Sequence, residues 1–285
     1  MPTLDQLYSL SLHQIPIAVI DLETTGLHAH TDSICEIGAV LMEGGEILDE
    51  YTTLVNPEQI MSDDVIAIHH LTNEMLVDAP LLPQVLPDFL QFVGASVIAG
   101  HNVGFDLSFL NPSLRPLGID LSQRPILDTA QLARKLLREA NGYSLSRLAG
   151  EFELPATQFH RALDDARTTA YLLSLLFERL EEQGIRTLSQ LTETFPFRGT
   201  PSSSKGLSPL EEAVWMAIEH SLPVDIRYRN RNDVVRQRRI TPERLASPYI
   251  YAYCHLRKEQ RCFRMDRIEH YRVISEKSNP PRDEM

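Results

Sequence analysis

Along the first two thirds of the chain, apolar residues follow strand-like spacing in some segments and helix-like spacing in others. Residues 15–22 form a nearly unbroken apolar run, which is typical of a buried strand. Residues 34–42 and 47–55 are also strand-like, and the turn residues Glu43-Gly44-Gly45-Glu46 between them predict a hairpin. Apolar spacing further predicts a short strand over 97–100 and helices over 85–93, 129–137, 143–152 and 162–182. This alternation predicts an α/β layered domain.

The last third of the chain has a different pattern. Residues 196–208 are rich in Pro, Gly and Ser, which is typical of a linker between domains. A capping box with proline at the first helical position then predicts a helix from Pro209 to about His220. Strand-like segments at 224–228, 234–240, 249–255 and 261–265 predict a small antiparallel sheet or barrel. The predicted organisation is a domain over 1–195, a linker over 196–208, a second domain over 209–275 and a polar tail over 276–285.

Composition narrows the class of protein. A hydrophobic content of 43% and a charged content of 23% are ordinary for a soluble globular protein. No apolar run is long enough to span a bilayer, and residues 1–12 lack the pattern of a secretory signal, so we expect no membrane partner. The three cysteines, Cys35, Cys254 and Cys262, have neither zinc-site spacing nor a disulfide framework. These features favour a reducing cytoplasmic location.

Charge is distributed unevenly between the two parts of the chain. Residues 1–197 contain 10 Lys and Arg against 27 Asp and Glu, a net charge of −17. Residues 205–275 contain 14 against 9, a net charge of +5. The asymmetry predicts two units with different electrostatic partners. An acidic unit binds nucleic acid poorly unless cations offset its carboxylates, which is a first indication of bound metal.

Two acidic residues, Asp21 and Glu23, follow the first apolar run. On a strand, this spacing places both side chains on one face. Neighbouring carboxylates resist ionisation unless a cation neutralises them, and their hard oxygens suit Mg²⁺ or Mn²⁺ rather than zinc. The end of a core strand is also where α/β sheets usually bind ligands. The pair therefore predicts a divalent-metal site, although an exposed polar strand end has the same pattern.

Asp106 is a weaker candidate when it is considered alone. It follows the predicted strand 97–100 and the turn residues 101–104, so it should lie where the next helix opens. Aspartate is a common helix N-cap, and that ordinary role is the better interpretation of this residue by itself. Only the acidic pair earlier in the chain makes Asp106 a candidate metal ligand.

The predicted helix 162–182 distinguishes two adjacent aspartates. Its apolar stripe contains Ala162, Ala166, Thr169, Ala170 and Leu173. At about 100° per residue, Asp165 lies about 80° from the centre of this stripe and Asp164 about 180° away. Asp165 is therefore the candidate ligand, and Asp164 is predicted to be a surface charge.

His160 can share a site with Asp165 only from outside the helix. The two residues are five positions apart, which on a helix separates them by about 140°. We therefore expect His160 in the loop before the helix, where a histidine suits a general base. A single histidine without the acidic set is more often a hydrogen-bonded polar residue of no catalytic importance.

Together these segments resemble the motifs of the DEDDh exonuclease family, within the ribonuclease H-like superfamily, over roughly residues 15–182. The family includes the proofreading exonuclease of bacterial DNA polymerase III. The specific features are the stretch Asp21-Leu22-Glu23-Thr24-Thr25-Gly26 and the His-x₄-Asp spacing of His160 and Asp165. A tyrosine branch of the superfamily has tyrosine at the position of Arg161, so the histidine branch fits this chain.

The resemblance implies a ribonuclease H-like mixed sheet flanked by helices, and a 3′–5′ exonuclease. Asp21, Glu23, Asp106 and Asp165 would hold two divalent cations, Mg or Mn, and His160 would accept a proton from water. Nucleoside 5′-monophosphates would be released from the 3′ end of single-stranded nucleic acid, with DNA favoured over RNA. The resemblance also implies a role in DNA repair, or association with a polymerase or repair complex.

The resemblance further implies contacts to the substrate. Residues that resemble the family's terminal-nucleotide contacts are Thr24, Thr25, Gly26 and Leu27. His69 aligns with a substrate-side histidine of the family, and its neighbour His70 is the weaker candidate. Phe105 lines the base pocket or packs in the core, and the sequence favours neither.

Residues 209–274 resemble a WYL domain, a bacterial sensor and binding module with an Sm-like β-barrel. The resemblance rests on residues 249–257 and 261–268; the Trp-Tyr-Leu triplet that names the domain is replaced near Pro248-Tyr249-Ile250. Arginines interleaved with aromatic residues are typical of a platform for single-stranded nucleic acid, although tyrosines packed as core give the same pattern. The candidate contact residues are Arg227, Arg229, Arg236, Arg238, Tyr251, Arg257 and Arg264.

Two other functions are compatible with this domain organisation. The first is a nucleic-acid-responsive sensor or regulator that acts through the WYL domain, with an incidental nuclease domain. The second is a scaffold attached to a polymerase. All five catalytic positions are filled, which favours the enzyme.

Overall fold

The computed structural model describes residues 4–27, 29–156, 159–197, 208–219, 222–230, 233–246 and 248–274. The chain divides into two compact units, 1–202 and 203–285. Residues 198–207 of the predicted linker and the predicted tail lie outside the described residues. The helices of the described part do not combine the length and hydrophobicity that a membrane crossing requires.

The first unit is built on a mixed sheet. Within its described residues, the strands are β1 (Ile17–Thr24), β2 (Ile34–Glu43), β3 (Glu46–Leu54), β4 (Val97–Gly100) and β5 (Ile126–Asp128). Their order in the sheet is β3-β2-β1-β4-β5. Strands β1, β2 and β3 are antiparallel neighbours, whereas β4 and β5 run parallel to β1. Strands β1 and β4 therefore end at the same edge, where the motifs that follow them meet.

Helices cover both faces of this sheet. Those described in the first unit are α1 (Leu4–Ser9), α2 (Asp63–His69), α3 (Asn73–Leu76), α4 (Leu82–Val93), α5 (Gly104–Leu114), α6 (Thr129–Leu136), α7 (Leu145–Glu151), α8 (Ala162–Glu182) and α9 (Leu188–Thr194). On one face, Ile17 and Val19 pack with the apolar stripe of α8. On the other face, Ala18 and Ile20 pack with α4 and α5. Alternate residues of β1 thus enter two different cores, as the strand period requires.

The predicted fold class is confirmed, and the differences concern short elements. Helix α8 begins and ends at the predicted residues, while β1 extends to Thr24 rather than ending at residue 22. Five elements were not predicted: α1, β5, α2, α3 and α9. They contain between three and seven residues, too few for apolar periodicity to be recognised.

One glycine allows α8 to approach the sheet closely. A Cβ atom built on Gly38 would lie 2.1 Å from the backbone carbon of Ala162 and 2.3 Å from the backbone nitrogen of Leu163. Any larger residue would push the start of α8 away from β2. Gly38 pairs with Asp21 in the sheet, so this close approach brings the first turn of α8 over Asp21.

The second unit contains an antiparallel sheet and a helix, α10 (Pro209–Glu219). Its described strands are β6 (Val224–Arg229), β7 (Val235–Ala246), β8 (Tyr249–Cys254), β9 (Glu259–Arg264) and β10 (Ile268–Val273), in the order β10-β6-β7-β8-β9. The predicted helix and four strands are present, and β10 was not predicted. Strand β7 continues beyond the predicted residue 240 through an irregularity between Pro242 and Arg244.

Candidate active site

Asp21 and Glu23 lie in the last half of β1, on the face that α8 covers. They continue the row of Ile17 and Val19, whose side chains are in the core beneath α8. Asp21 is half-buried, whereas Glu23 is only 3% exposed. The sheet register places Glu23 directly opposite another acidic residue, Glu36 of β2. Carboxylates are thus concentrated at a position where water is largely excluded.

Asp165 reaches the same position from the start of α8. Asp21, Glu23 and Asp165 each offer a carboxylate oxygen, and these oxygens lie within 4.8 Å of one another. Asp165 is buried, and its Oδ2 accepts a hydrogen bond from the backbone N–H of His160 at 2.9 Å. Its Oδ1 is buried without a hydrogen-bond partner. An orphaned carboxylate oxygen beside two further carboxylates is the arrangement expected of a cation site.

The electrostatics of the site lead to the same conclusion. Burial, followed by the charges of Asp165, Glu36 and Asp106, raises the pKa of Glu23 well above its ordinary value. Burial also raises the pKa of Asp165 from 3.8 to about 7. The protein alone therefore disfavours full ionisation of this group. A hard divalent cation would stabilise the ionised form, and three carboxylate donors fit Mg²⁺ or Mn²⁺.

Asp106 is buried in the first turn of α5, close to the three grouped carboxylates but not among them. Its charge is one of the causes of the raised pKa of Glu23, so the two side chains are close. The N-cap of α5 is Val103, so Asp106 is not the helix N-cap that the sequence alone favoured. Its carboxylate is thus a fourth acidic group near the site.

Asp164 lies outside the group of carboxylates. Its Oδ1 accepts a hydrogen bond from Arg167 at 2.9 Å, and its side chain is 21% exposed. This is less exposed than the solvent-facing position predicted, because the Arg167 guanidinium covers part of it. The structure therefore distinguishes the two adjacent aspartates in the same sense as the helical geometry.

His160 lies in the loop that precedes α8, as its spacing from Asp165 requires. Its φ angle is 65°, in the left-handed region. For a residue other than glycine, this conformation costs about 1–2 kcal/mol, so neighbouring contacts must hold it in place. The hydrogen bond from its N–H to Asp165 is one of these contacts. The backbone of the candidate base is thus tied directly to a candidate metal ligand.

The loop after β1 is closed by its own side chains. Thr24 Oγ1 donates to the carbonyl of Gly26 at 2.6 Å, and Thr25 Oγ1 accepts from the backbone N–H of Ser33 at 3.0 Å. A Cβ atom on Gly26 would lie 2.6 Å from a carboxylate oxygen of Asp32, so a larger residue here would require the Asp32 side chain to move. Leu27 is half-buried. The nucleotide contacts assigned to residues 24–27 stay a prediction.

His69 is buried rather than open to solvent. The backbone N–H of Leu71 donates to its Nδ1 at 3.0 Å, so the proton is on Nε2, which lies 3.9 Å from Cys35 Sγ. Burial lowers the pKa of His69 to about 4, which makes the ring neutral at pH 7. Phe105 is half-buried and packs against Phe109 with ring centroids 4.9 Å apart. Substrate roles for His69 and Phe105 stay predictions.

Sequence reasoning missed Glu36 and assigned no contact to Arg161. Glu36 is 2% exposed and accepts hydrogen bonds from the Arg161 guanidinium and from the backbone N–H of Ala162. One signal was available, because Glu36 is the only charged residue between Ile34 and Met42. A single carboxylate within a buried strand requires a partner. The identity of that partner, 125 residues away, was not visible in local spacing.

The candidate arginines of the second unit lie on two faces of its sheet. The register pairs Gln237 with Arg227, Thr241 with Tyr253 and Cys262 with Tyr251, so one face contains Arg227, Arg229, Tyr249, Tyr251, Tyr253 and Arg264, here called the tyrosine face. Arg236 and Arg238 lie on the opposite face, with buried Ile226 and Ile240. Arg257 lies in the turn between β8 and β9.

The tyrosines are not the core of this sheet. Along β8 the buried residues are Ile250, Ala252 and Cys254, which alternate with Tyr249, Tyr251 and Tyr253. Tyr249 is 38% exposed, and the other two tyrosines are half-buried. The tyrosine face therefore presents aromatic and cationic groups together.

Two family profiles match the chain. Residues 18–173 match the family described as Exonuclease, and residues 209–273 match the WYL domain. The first match contains all five candidate catalytic residues. The second covers the helix and the sheet of the second unit.

Curated relatives agree with the first match. A Mycobacterium tuberculosis protein that carries the name bifunctional exonuclease/endonuclease is 40% identical over 195 residues, 66% of this chain and 30% of that protein. The PolC-type DNA polymerase III of Bacillus subtilis is 37% identical over 183 residues, 64% of this chain and 13% of that protein. The chain thus corresponds to less than a third of the length of these relatives.

A solved structure shows a similar fold. E. coli exonuclease I in complex with a dA16 oligonucleotide aligns with a TM-score of 0.52 and 12% sequence identity. The alignment covers 85% of this chain and 55% of that one. At this identity, the similarity concerns the fold.

The first prediction concerns the adjacent aspartates. We expect Asp165→Ala to reduce nucleic-acid digestion by more than the roughly 10–100-fold that loss of an outer-shell partner costs, because it removes a direct carboxylate donor. Asp164→Ala should have little effect, since its side chain pairs with Arg167 instead. Release of nucleotides from a labelled strand measures activity, and circular dichroism checks the fold. An inactive Asp164→Ala beside an active Asp165→Ala would contradict the assignment.

The second prediction concerns stability without divalent cations. Folding raises the pKa of Asp165 to about 7, so the folded state holds this proton more tightly than the unfolded chain does. The free energy of unfolding should therefore fall between about pH 4 and pH 7, by up to about 1.4 kcal/mol per pH unit for one carboxyl group. Melting temperatures in a chelator would show this decline. It should be much smaller in Asp165→Asn and only slightly smaller in Asp164→Asn, because burial is the main cause of the raised pKa of Asp165 and the charge of Asp164 a lesser one. An identical decline in all three proteins would refute it.

Proposed function

Because the chain belongs to the exonuclease family, we propose that it removes nucleotides one at a time from the 3′ end of single-stranded nucleic acid. That the chain is a nuclease joined to a WYL domain follows from the two family matches. The observation that carries the proposal is the convergence of Asp21, Glu23 and Asp165 within 4.8 Å. DNA is the favoured substrate, because the Bacillus subtilis relative is a DNA polymerase.

Four carboxylates would hold the metal ions. We assign two divalent cations, Mg or Mn, to Asp21, Glu23, Asp106 and Asp165. When bound, such ions supply Lewis-acid stabilisation of the scissile phosphate and lower the pKa of water. The donor set fits this chemistry because it consists of hard oxygens and includes the unpartnered Oδ1 of Asp165.

The protein's own side chains and backbone carry out proton transfer and substrate binding. His160 accepts the proton of the attacking water, which is a role suited to a histidine held beside the carboxylates. The loop of residues 24–27 binds the terminal nucleotide, and its internal hydrogen bonds hold the backbone in one orientation before substrate arrives. The products would be nucleoside 5′-monophosphates.

The WYL domain supplies a second contact to the strand. The tyrosine face combines rings that stack on bases with arginines that pair with phosphates, which is the composition of a single-strand platform. Because the two units belong to one chain, a nucleic-acid strand bound to the tyrosine face would have a raised effective concentration at the active site. It could therefore rebind to the active site after each cleavage. The similarity to part of a DNA polymerase further supports work alongside a polymerase or repair complex.

The proposed activity predicts a specific digestion pattern. With Mg²⁺ or Mn²⁺, a single-stranded DNA labelled at its 5′ end should shorten stepwise while the label stays on the shrinking strand. An RNA of matched sequence should be digested more slowly. A gel that resolves single nucleotides measures both, and a chelator should stop digestion because the carboxylates lose their cations.

Asp21→Ala serves as the control for a contaminating nuclease. Immediate release of the 5′ label would mean digestion from the other end, and early internal fragments would mean endonuclease activity. Full activity in the chelator would mean that digestion does not require a divalent cation, which contradicts the metal assignment. Faster digestion of RNA would reverse the proposed substrate preference.

The tyrosine face makes a separate prediction. Replacing Arg227 with Gln and Tyr251 with Ala should raise KM for a long single strand by about 5-fold or more, since one stacked base is worth ~1–3 kcal/mol. A dinucleotide is taken up by the active site itself, so its KM should not change. Arg236→Gln, on the opposite face, is the matched control. An equal rise on both substrates, or a larger effect of Arg236→Gln, would refute the platform.

A further inference from the structure

The first turn of α8 receives its cap from a distant strand. Its N-cap residue, Arg161, makes no side-chain capping hydrogen bond. Instead, Glu36 Oε2 in β2 accepts the backbone N–H of Ala162 at 3.0 Å. Exposed N–H groups at a helix start require an acceptor, which usually comes from the neighbouring sequence. Here the acceptor comes from a residue 126 positions away.

The same carboxylate also binds the N-cap residue. Arg161 donates from Nε to both oxygens of Glu36, at 3.2 and 3.1 Å, and from a terminal nitrogen to Oε1 at 2.6 Å. Glu36 is 2% exposed, and the Arg161 side chain is 34% exposed. A two-pronged pair of this kind fixes direction as well as distance. Glu36 therefore determines where residues 161 and 162 lie relative to the sheet.

His160 is the residue immediately before this anchor. Its left-handed backbone persists only where the surroundings over-determine it. On one side, Asp165 binds the N–H of His160. On the other side, Glu36 binds the two residues that follow. Gly38 adds a third restraint, since its missing side chain leaves the backbone of Ala162 directly against β2.

We propose that Glu36 and Arg161 are positioning residues for His160, an ion pair, here called the clasp, that keeps the candidate base beside the carboxylates. The inference rests on the proposed role of His160 as proton acceptor. Neither residue is assigned to the metal ions or to the substrate. The clasp acts on the loop of residues 160–162, and the rest of α8 is held by its own apolar stripe. Breaking the clasp therefore moves the base and leaves the helix seated.

A second ion pair on the same helix provides a matched comparison. Arg167 donates two hydrogen bonds to Glu50 of β3, from Nε at 2.7 Å and from a terminal nitrogen at 2.5 Å. It thus joins α8 to the sheet with the same chemistry as the clasp. It lies more than one turn further along the helix and does not touch residues 160–162. If the Glu36–Arg161 pair served only to join α8 to the sheet, breaking either pair should have a similar effect on activity.

The kinetic experiment uses the full-length chain and six substitutions. Glu36→Gln, Arg161→Gln and Arg161→Lys test the clasp, Glu50→Gln and Arg167→Gln are the controls, and His160→Ala is the reference. We expect the clasp variants to lower kcat on the order of 10²-fold, as a misplacement of ~1 Å costs, while KM stays unchanged. Mn²⁺ affinity by calorimetry should change far less than kcat, because Glu36 and Arg161 act on the carboxylates only through their charges. Arg161→Lys should follow Arg161→Gln, because lysine keeps the charge but loses the two-pronged geometry. The controls should keep wild-type kcat.

A measurement without substrate or metal tests the same inference through the loop itself. Hydrogen exchange followed by mass spectrometry should show faster exchange of the amides of residues 160–162 in Glu36→Gln and Arg161→Gln. Exchange there should not change in Glu50→Gln and Arg167→Gln. Unchanged exchange in the clasp variants would overturn the positioning role, whatever their activity.

The outcomes separate this inference from the proposed function. If wild-type protein digests nothing, or His160→Ala digests at the wild-type rate, the proposed function or the role of His160 has failed. If His160→Ala is inactive but the clasp variants lose no more kcat than the controls, the positioning role has failed. A parallel loss of Mn²⁺ affinity and kcat would also overturn it, because the pair would then act on the carboxylates rather than on His160.

Discussion

Repulsion between buried carboxylates is the constraint around which the first unit is organised. Glu23 and Asp165 are largely removed from water, and Asp21 lies with them within 4.8 Å. Burial and mutual repulsion raise the pKa values of Glu23 and Asp165, so the ionised cluster is unfavourable by itself. Such a cluster persists where a bound cation offsets the repulsion between its carboxylates, or where the rest of the fold is stable enough to tolerate that repulsion. Here apolar packing on both faces of β1 provides the supporting fold.

Parts of the chain that are far apart in sequence build this site together. Strand β1 contributes two acids, α5 one and α8 another, and β2 contributes no assigned ligand. Yet β2 determines where the first turn of α8 lies, through the close approach at Gly38 and the hydrogen bond from Ala162 to Glu36. In the second unit, the alternation of β8 buries Ile250 and Ala252 and leaves the tyrosines on the other face. In the second unit, strand alternation thus separates residues that hold the fold from residues proposed to contact a ligand, whereas in the first unit the acids of β1 continue an apolar row on the same face.

Local periodicity accounts for what could be predicted from the sequence. The spacing of Asp165 against the apolar stripe separated it from Asp164, and the distance to His160 placed that residue in the loop. Pairings between distant residues were not available to this reasoning. Glu36 and Arg161 meet across 125 positions, and no local pattern connects them. The arginines of β6 and β7 were correctly paired within each strand, but only the register shows that Arg227 and Arg236 point to opposite faces.

Gly38 shows that the site depends on close packing between α8 and β2 as well as on its charged residues. It has no ionisable group, yet a single added methyl would collide with the backbone of Ala162. The collision would open a gap between helix and strand, and Asp165 would recede from Asp21 with every acid still in place. Any side chain at this strand position would therefore disturb the site, whatever its charge. We expect a homologue without this glycine to lack nuclease activity even where all of its acidic residues are present.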